Sequence, residues 1–483
     1  MASKSDLAER GSLGGNLGYA VLAQGVSLLS SIAMSLLVPK ALGVEDYAYW
    51  QLFILYSSYV GLALFGIHDG IFLRIGGIKV DDIDWPRVKG EFFLVLIGQL
   101  LLAVAASLAV FAVGLADERT FVFLAVLIFG IVVNPAAFLF YVLRAANLPN
   151  IYSTASVLSG SIWAGALVAL IIVGADSFLP YIVVYIVCQA VSSCYCYLHF
   201  RKVFACRPSS PRLVVSNLKT DCVAGLKVTL AYYAGSLVVG SARMLIDGKW
   251  GLEAFGIFSF SVSLVNFLLT FMAQVSMVIF PVIRRMGKDS QSDVYLKLRN
   301  GLVGILPLMY VLYFPGCYLL KLWLPQYEQS LLYLAIILPV CFFDCKMQLL
   351  VNTYLKTYRK ENALFWLNAA TLGLSLLTCS ISAFVVSDIL LTAVAMVASI
   401  GFRSVVSEIY LNSLFGIKDF RPIVGDVLLA AWFVVSAFFF ESLSLTIIGV
   451  FIYYFYNRRS LLAVCGMVRG AFNVSTSDEN GSD

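Results

Sequence analysis

Three ionisable residues interrupt otherwise apolar runs of this sequence: Asp344 and Lys346 in PVCFFDCKMQLL, and Arg403 in the middle of 389–411. A charge at the centre of a hydrocarbon layer costs about 2.5–3.5 kcal/mol on insertion scales, so each needs a partner, a cavity or water. Asp344 and Lys346 are two positions apart, about 200° around a helix, and do not face each other. Pairing of Asp344 with Arg403 between two helices is one reading, and binding of a substrate or a coupling ion is another; the residues alone leave both open. Arg243 and Asp247 stand one turn apart and have the spacing of a local i,i+4 ion pair.

Other chemistry has little to stand on. The Gly-Lys pairs Gly248-Lys249 and Gly287-Lys288 lack the earlier Gly and the following Ser/Thr of a nucleotide-binding loop. Ten cysteines sit mostly in apolar segments, with no C-x-x-C and no Cys/His cluster of zinc spacing, and read as small buried hydrophobes. His68 and His199 fall at expected helix ends, where a solvated interfacial imidazole is the default. No catalytic residue, metal or cofactor is expected.

The elements that carry these residues follow from composition. Of 483 residues, 60% are hydrophobic and 13% charged, with a mean hydropathy of +0.90, which describes a polytopic membrane protein. Crossing roughly 30 Å of hydrocarbon takes about 20 helical residues. Apolar runs between polar breaks place spans at 13–39, 47–67, 90–115, 120–142, 151–173, 179–199, 222–242, 254–282, 301–320, 329–353, 362–386, 389–411, 423–440 and 443–457. The first is full length, without a cleavage site, and is expected to remain as a span. Continuous rather than alternating runs exclude a β-barrel.

Lys and Arg test this count. With the N-terminus inside, 25 of the 33 fall in inner segments, five in outer ones, and Lys227, Lys346 and Arg403 within spans. That asymmetry predicts both termini in the cytoplasm.

A phrase is also written twice. GVEDYAYW (Gly43 to Trp50) opens the second span, and GLEAFGIF (Gly251 to Phe258) opens the eighth; LRAANLPN after the fourth matches LKTYRKEN after the tenth. Six spans separate each pair, and an even number makes the repeats parallel, related by an axis along the membrane normal. The expected fold is therefore an all-α polytopic membrane protein of about 14 transmembrane helices: two parallel six-helix lobes (1–200 and 222–412), a basic cytoplasmic linker (201–221), two additional helices (413–460) and a cytoplasmic tail (461–483). Such a layout, with short outer loops, is that of a transporter.

LLVPKALGVEDYAYWQLF, GIHDGIFLRIGG, VIFPVIRRM and LKTYRKEN together resemble the Wzx-type polysaccharide (O-antigen) flippases of the multidrug/oligosaccharidyl-lipid/polysaccharide, or MOP, exporter superfamily. The resemblance implies a flippase of the bacterial cytoplasmic membrane. Its partner would be an undecaprenyl-diphosphate-linked oligosaccharide, turned to the outer leaflet by alternating access for cell-surface polysaccharide or lipopolysaccharide synthesis. It also implies coupling to an H+ or Na+ gradient, surrounding membrane lipids, a polysaccharide polymerase and glycosyltransferases as possible neighbours, and no nucleic acid. The expected cationic cavity is lined by spans one, two, seven and eight. Arg suits a diphosphate because its planar fork bonds phosphate oxygens bidentately. Arg74, Arg284 and Arg285, with Arg144 and Lys356, lie at corresponding inner ends of the two lobes, although positive-inside bias alone predicts basic residues there. Trp50, Tyr56, Tyr59, Tyr232 and Tyr233 are the aromatic candidates for meeting sugar rings, while Gly14 and Gly18 read as helix packing.

A multidrug or small-molecule antiporter of the same superfamily would want acids in an apolar cavity, whereas the candidates here are basic and aromatic. A lipid II flippase shares span count and substrate charge and is not separated by residue type. A membrane glycosyltransferase or polymerase would need an outer acid such as Glu45 or Asp46, but no outer loop exceeds about eleven residues.

Overall fold

The computed structural model describes residue 25 and residues 28–78, 82–114, 116–146, 149–199, 206–285 and 288–462, without the side chains of 149, 150, 152, 153, 211, 213, 271, 273–285 and 288–290. Every regular element among the described residues is helical. In chain order these are α1 (Leu28–Ala41), α2 (Val44–Ser57), α3 (Ile67–Ile75), α4 (Trp85–Val113), α5 (Asp117–Ala145), α6 (Pro149–Val173) and α7 (Phe178–His199). They continue as α8 (Pro211–Arg285), α9 (Lys288–Ile305), α10 (Leu308–Trp323), α11 (Glu328–Lys346), α12 (Glu361–Ser380), α13 (Ile389–Leu414), α14 (Arg421–Val434) and α15 (Leu443–Tyr456).

Local chemistry sets several starts. Asp84 accepts from Arg87 N at α4, Asp388 from Leu390 N and Leu391 N at α13, and Ser442 from Leu445 N at α15. Asp46, expected in an outer loop with Glu45, lies instead in the first turn of α2. Its Oδ1 accepts from Phe178 N at 2.9 Å and so caps α7. Gly251 has φ 85° and ψ −177°, a conformation open to glycine, and breaks the 75-residue α8. Both copies of the repeated phrase thus open a helix, one after Gly43 and one at this break.

Ten helices among the described residues are long and apolar enough to cross a membrane, or eleven if the bent pair Val44–Leu64 and Ile67–Ile75 is one span. One of the ten, Val214–Thr270, has 57 residues and would be roughly 85 Å long if straight, nearly three bilayer cores; divided at Gly251 it makes two crossings. Two further apolar helices, Leu28–Ala41 and Leu443–Tyr456, lie at expected spans but are shorter than these. Residues 211–221, expected as linker, are already helical.

The chain forms two compact units, Met1–Ser236 with Leu252–Gly256, and Leu237–Gly251 with Ile257–Asp483. In the first, α3, α4 and α5 share a core of Ile71, Ile75, Val88, Phe92, Phe138 and Val142. Only 17% of the apolar window of α4 is buried, leaving Leu101, Val104, Leu108 and Phe111 exposed as lipid-facing side chains. In the second, 89% of the window of Pro325–Thr357 is buried, so α11 is its central helix, packed on α13.

Candidate functional site

In the first unit the second span is broken. After α2 the chain makes a 3-10 turn, Val60–Leu64, then passes through two left-handed residues, Phe65 (φ 47°) and Gly66 (φ 80°), before α3 resumes at 56°. Such a break frees backbone carbonyls that membrane cannot solvate. Two buried amides meet them: Gln99 Nε2 donates to Ala63 O at 2.8 Å, and Asn134 Nδ2 donates to Val60 O at 2.9 Å and to Gln99 Oε1 at 2.7 Å. The amides therefore hold the break as part of the fold rather than leaving it a weak point.

Just past the break, Thr229 on α8 donates to Asp69 Oδ2 at 2.5 Å, and His68 Nε2 lies 3.5 Å from the same oxygen. His68 is only 7% exposed, its ring edge-on to Tyr141 at 4.6 Å, and its Nδ1 is buried without a hydrogen-bond partner. This corrects the expectation of a solvated imidazole: the bend turns His68 onto α5. His199, by contrast, is exposed as expected.

Backbones approach closely along this crossing. A Cβ on Gly70 would strike Asp221 O, and one on Gly225 would strike Gly66 O; one on Gly66 would lie 2.5 Å from Leu226 N. At its end sits a cluster of four charges. Arg74 Nη2 reaches Glu91 Oε2 at 2.5 Å and Asp221 Oδ2 at 2.9 Å, while Arg87 Nε donates to Glu91 Oε1 at 2.8 Å. The Glu91 side chain is fully buried and that of Asp221 nearly so. Arg74 is thus neutralised in this conformation, and its acids Glu91 and Asp221, together with Arg87, are members that the sequence reading did not single out.

The remaining candidates separate. Arg144 is exposed in the last turn of α5, its guanidinium 5.7 Å from the Tyr141 ring centroid, and Lys356 is exposed in the last turn of Thr353–Thr357, the matching place in the other unit. Trp50 does not stand at an open surface. It is fully buried, stacked on Trp163 at 5.5 Å and edge-on to Tyr185, because α2 packs into its own unit. Tyr233 is 8% exposed with its hydroxyl against Gly61, while Tyr232 is 69% exposed. Tyr59 donates to Ser236 O and Tyr56 packs on Phe123. The side chains of Arg284 and Arg285, and Gly14 and Gly18, lie outside the described residues.

In the second unit Arg403 Nη2 donates to Asp344 Oδ1 at 2.5 Å, so the pairing of α11 with α13 considered from sequence is present. Lys346, on another face of α11, meets Glu408 Oε2 of α13 and Asp426 Oδ2 of α14. Tyr453 on α15 donates to Asp426 Oδ1 at 2.7 Å. Glu408 and Asp426 were missed because they lie near span ends, where an acid reads as interfacial; their place inside apolar runs was the available signal. Arg243 and Asp247 are both buried, and Arg243 Nε donates to Ser259 Oγ at 3.1 Å. No group of three or more His, Cys, Asp or Glu residues placed to hold a metal ion occurs among the described residues.

No family model and no curated protein matches this sequence. Solved structures do match. The lipid II flippase MurJ, in an inward closed conformation, superposes with a TM-score of 0.60 at 12% identity, over 92% of this chain and 100% of its own. A multidrug resistance MATE family transporter of the MOP superfamily, inward-facing, gives 0.58 at 12% identity over 82% and 94%. A MATE in complex with MaD3S gives 0.52 at 12% identity over 82% and 93%. This multi-pass chain therefore has the all-helical fold of the MOP-superfamily transporters.

Proposed function

We propose that this protein is a flippase that carries a lipid-linked, diphosphate-bearing oligosaccharide, of the undecaprenyl type, across the bacterial cytoplasmic membrane by alternating access. The observation that carries the reading is the extent of the fold match: it takes in the whole lipid II flippase and 92% of this chain, against 82% for the multidrug transporter. Arg74, at the inner end of a broken span and held by Glu91 and Asp221 in this conformation, is the cation proposed to meet the headgroup when those pairs open, since a planar cationic fork suits a diphosphate. Arg144, Lys356, Arg284 and Arg285 are proposed to extend this basic surface, and an H+ or Na+ gradient to drive the cycle. A polymerase and glycosyltransferases are the neighbours such a cycle would serve.

A small-molecule antiporter is the second reading, favoured by the half-buried acid Asp69 beside the break. Proteoliposomes holding the purified protein and a fluorescent undecaprenyl-diphosphate oligosaccharide decide between them. Lipid turnover, read by chemical quenching of the exposed leaflet, is expected in the wild type. Arg284→Ala should slow it about tenfold or more, the loss of one charge-assisted hydrogen bond of roughly 1.5–3 kcal/mol. No lipid turnover, with export of a cationic dye instead, overturns the proposal.

A further inference from the structure

At the expected cytoplasmic end of the second unit one cation is poorly supplied with acceptors. Arg299, in α9, is 2% exposed, and a buried guanidinium ordinarily makes charge-assisted hydrogen bonds of about 2.7–2.9 Å. Here Nη1 reaches Asn412 Oδ1 only at 3.5 Å and Asp419 O at 3.3 Å, Nη2 lies 3.8 Å from Asp419 Oδ2, and Nε is buried with no hydrogen-bond partner. Asn412, also buried and near the end of α13, accepts from the Tyr295 hydroxyl at Oδ1 at 2.9 Å, and its Nδ2 has no partner. Nδ2 shares a carbon with the oxygen that faces Arg299, so the orphaned donors stand together. Two buried groups thus offer N–H bonds that nothing accepts, and one of them carries a full positive charge.

The surroundings hold these donors in place. Tyr295 stacks on Phe415 at 5.0 Å, and Tyr354 stands edge-on to both rings while its hydroxyl donates to Gln291 O at 3.1 Å. This aromatic wall fixes α9 against the end of α13, so the donors are set before any ligand arrives. The buried acid Glu408, one turn before Asn412, gives Oε2 to Lys346. Towards solvent the guanidinium meets only the turn of residues 415–420 between α13 and α14, whose Asp419 has a side chain 49% exposed. Asp419 Oδ1 accepts from Arg421 N at 3.2 Å, and its neighbours Lys418 and Arg421 are exposed cations. The oxygens of Asp419 therefore stand before Arg299 without bonding it well, where a better acceptor can displace them.

We propose that Arg299 and Asn412 form a binding site for a phosphate group at the inner end of the second unit, with Asp419 as the internal acceptor that the phosphate displaces. A tetrahedral oxyanion carries several acceptor oxygens on one small group, enough to take Nε and Nη of Arg299 and Nδ2 of Asn412 together. This chemistry is shared by free inorganic phosphate and by the headgroup of an anionic phospholipid in the adjoining leaflet. Arg299 is not among the residues assigned to the transported lipid, so this site and the transport reading fail separately.

The test follows thermal unfolding of the full-length protein in detergent, because a ligand that binds only the folded state raises the midpoint with its concentration. One arm titrates inorganic phosphate against chloride at constant ionic strength, and the other short-chain phosphatidylglycerol against short-chain phosphatidylcholine. A saturable rise is expected in at least one arm; the first identifies a free ion and the second a headgroup. Arg299→Gln should abolish it, whereas a general salting effect would not saturate and would persist in that variant. Asp419→Asn keeps an acceptor for Arg421 N but removes the competing charge, and should lower the half-saturating concentration several-fold, which a purely structural Arg299 would not produce. If Arg299→Gln does not fold, the Asp419→Asn titration decides alone. No saturable rise in either arm, a rise that survives in Arg299→Gln, or an unchanged or weaker response in Asp419→Asn overturns the proposal.

Discussion

Asp344 and Arg403 meet with side chains 16% and 8% exposed, and this pair shows what a single residue contributes in a bundle of this kind. Removing one partner leaves the other charged and out of water, so Asp344→Ala is expected to cost about 3–5 kcal/mol. Replacing both, as Asp344→Leu with Arg403→Met, should restore most of that, because the charge and its solvation demand leave together. Thermal unfolding of the purified variants measures this, and a double variant as unstable as the single one would refute it. The pair was legible in the sequence because each residue interrupts a long apolar run. Lys346 was equally visible, but its partners were not, since nothing in sequence spacing brings position 346 to 408 and 426. Trp50 is a different case. Its type suits sugar stacking, yet an aromatic ring on an apolar helix serves packing as readily, and here Trp163 and Tyr185 cover it.

Among elements, the crossing of α3 on the start of α8 depends on the absence of side chains. Gly225→Ala is expected to push the helices apart and lower stability by about 1–3 kcal/mol, because the added carbon meets backbone that cannot rotate away. Gly98 and Gly165, in α4 and α6, have nothing within 4 Å of an added Cβ, so Ala there should be neutral or stabilising by up to about 1 kcal/mol. Unfolding midpoints in one detergent check the contrast, and equal losses at all three positions would contradict it. The run of spans was readable from hydropathy, whereas the break in the second span was not. VGLALFG is apolar throughout, and the bend is held by Gln99 and Asn134, 35 residues apart in sequence.

At the scale of the whole molecule, the Lys and Arg asymmetry predicts an orientation with both termini in the cytoplasm. Alkaline phosphatase fused after Glu441, between α14 and α15, is expected to be active, and a fluorescent protein fused after residue 483 to fluoresce in the cytoplasm. The opposite pattern would invert the topology. The fold class was accessible from sequence because span count and charge bias are summed over hundreds of residues, so errors of a few positions at each boundary do not accumulate. Substrate identity is carried by a handful of side chains and has no such averaging.

The twice-written phrase closes on itself in the first unit. Ala48 and Gly256 hold the same position in its two copies, and a Cβ on Gly256 would lie 2.6 Å from that of Ala48. Repeated phrases of one chain are ordinarily free to change independently, each enlarging wherever its own surroundings permit. Here the two copies share a single allowance of space, so any growth at one site must be matched by shrinkage at the other.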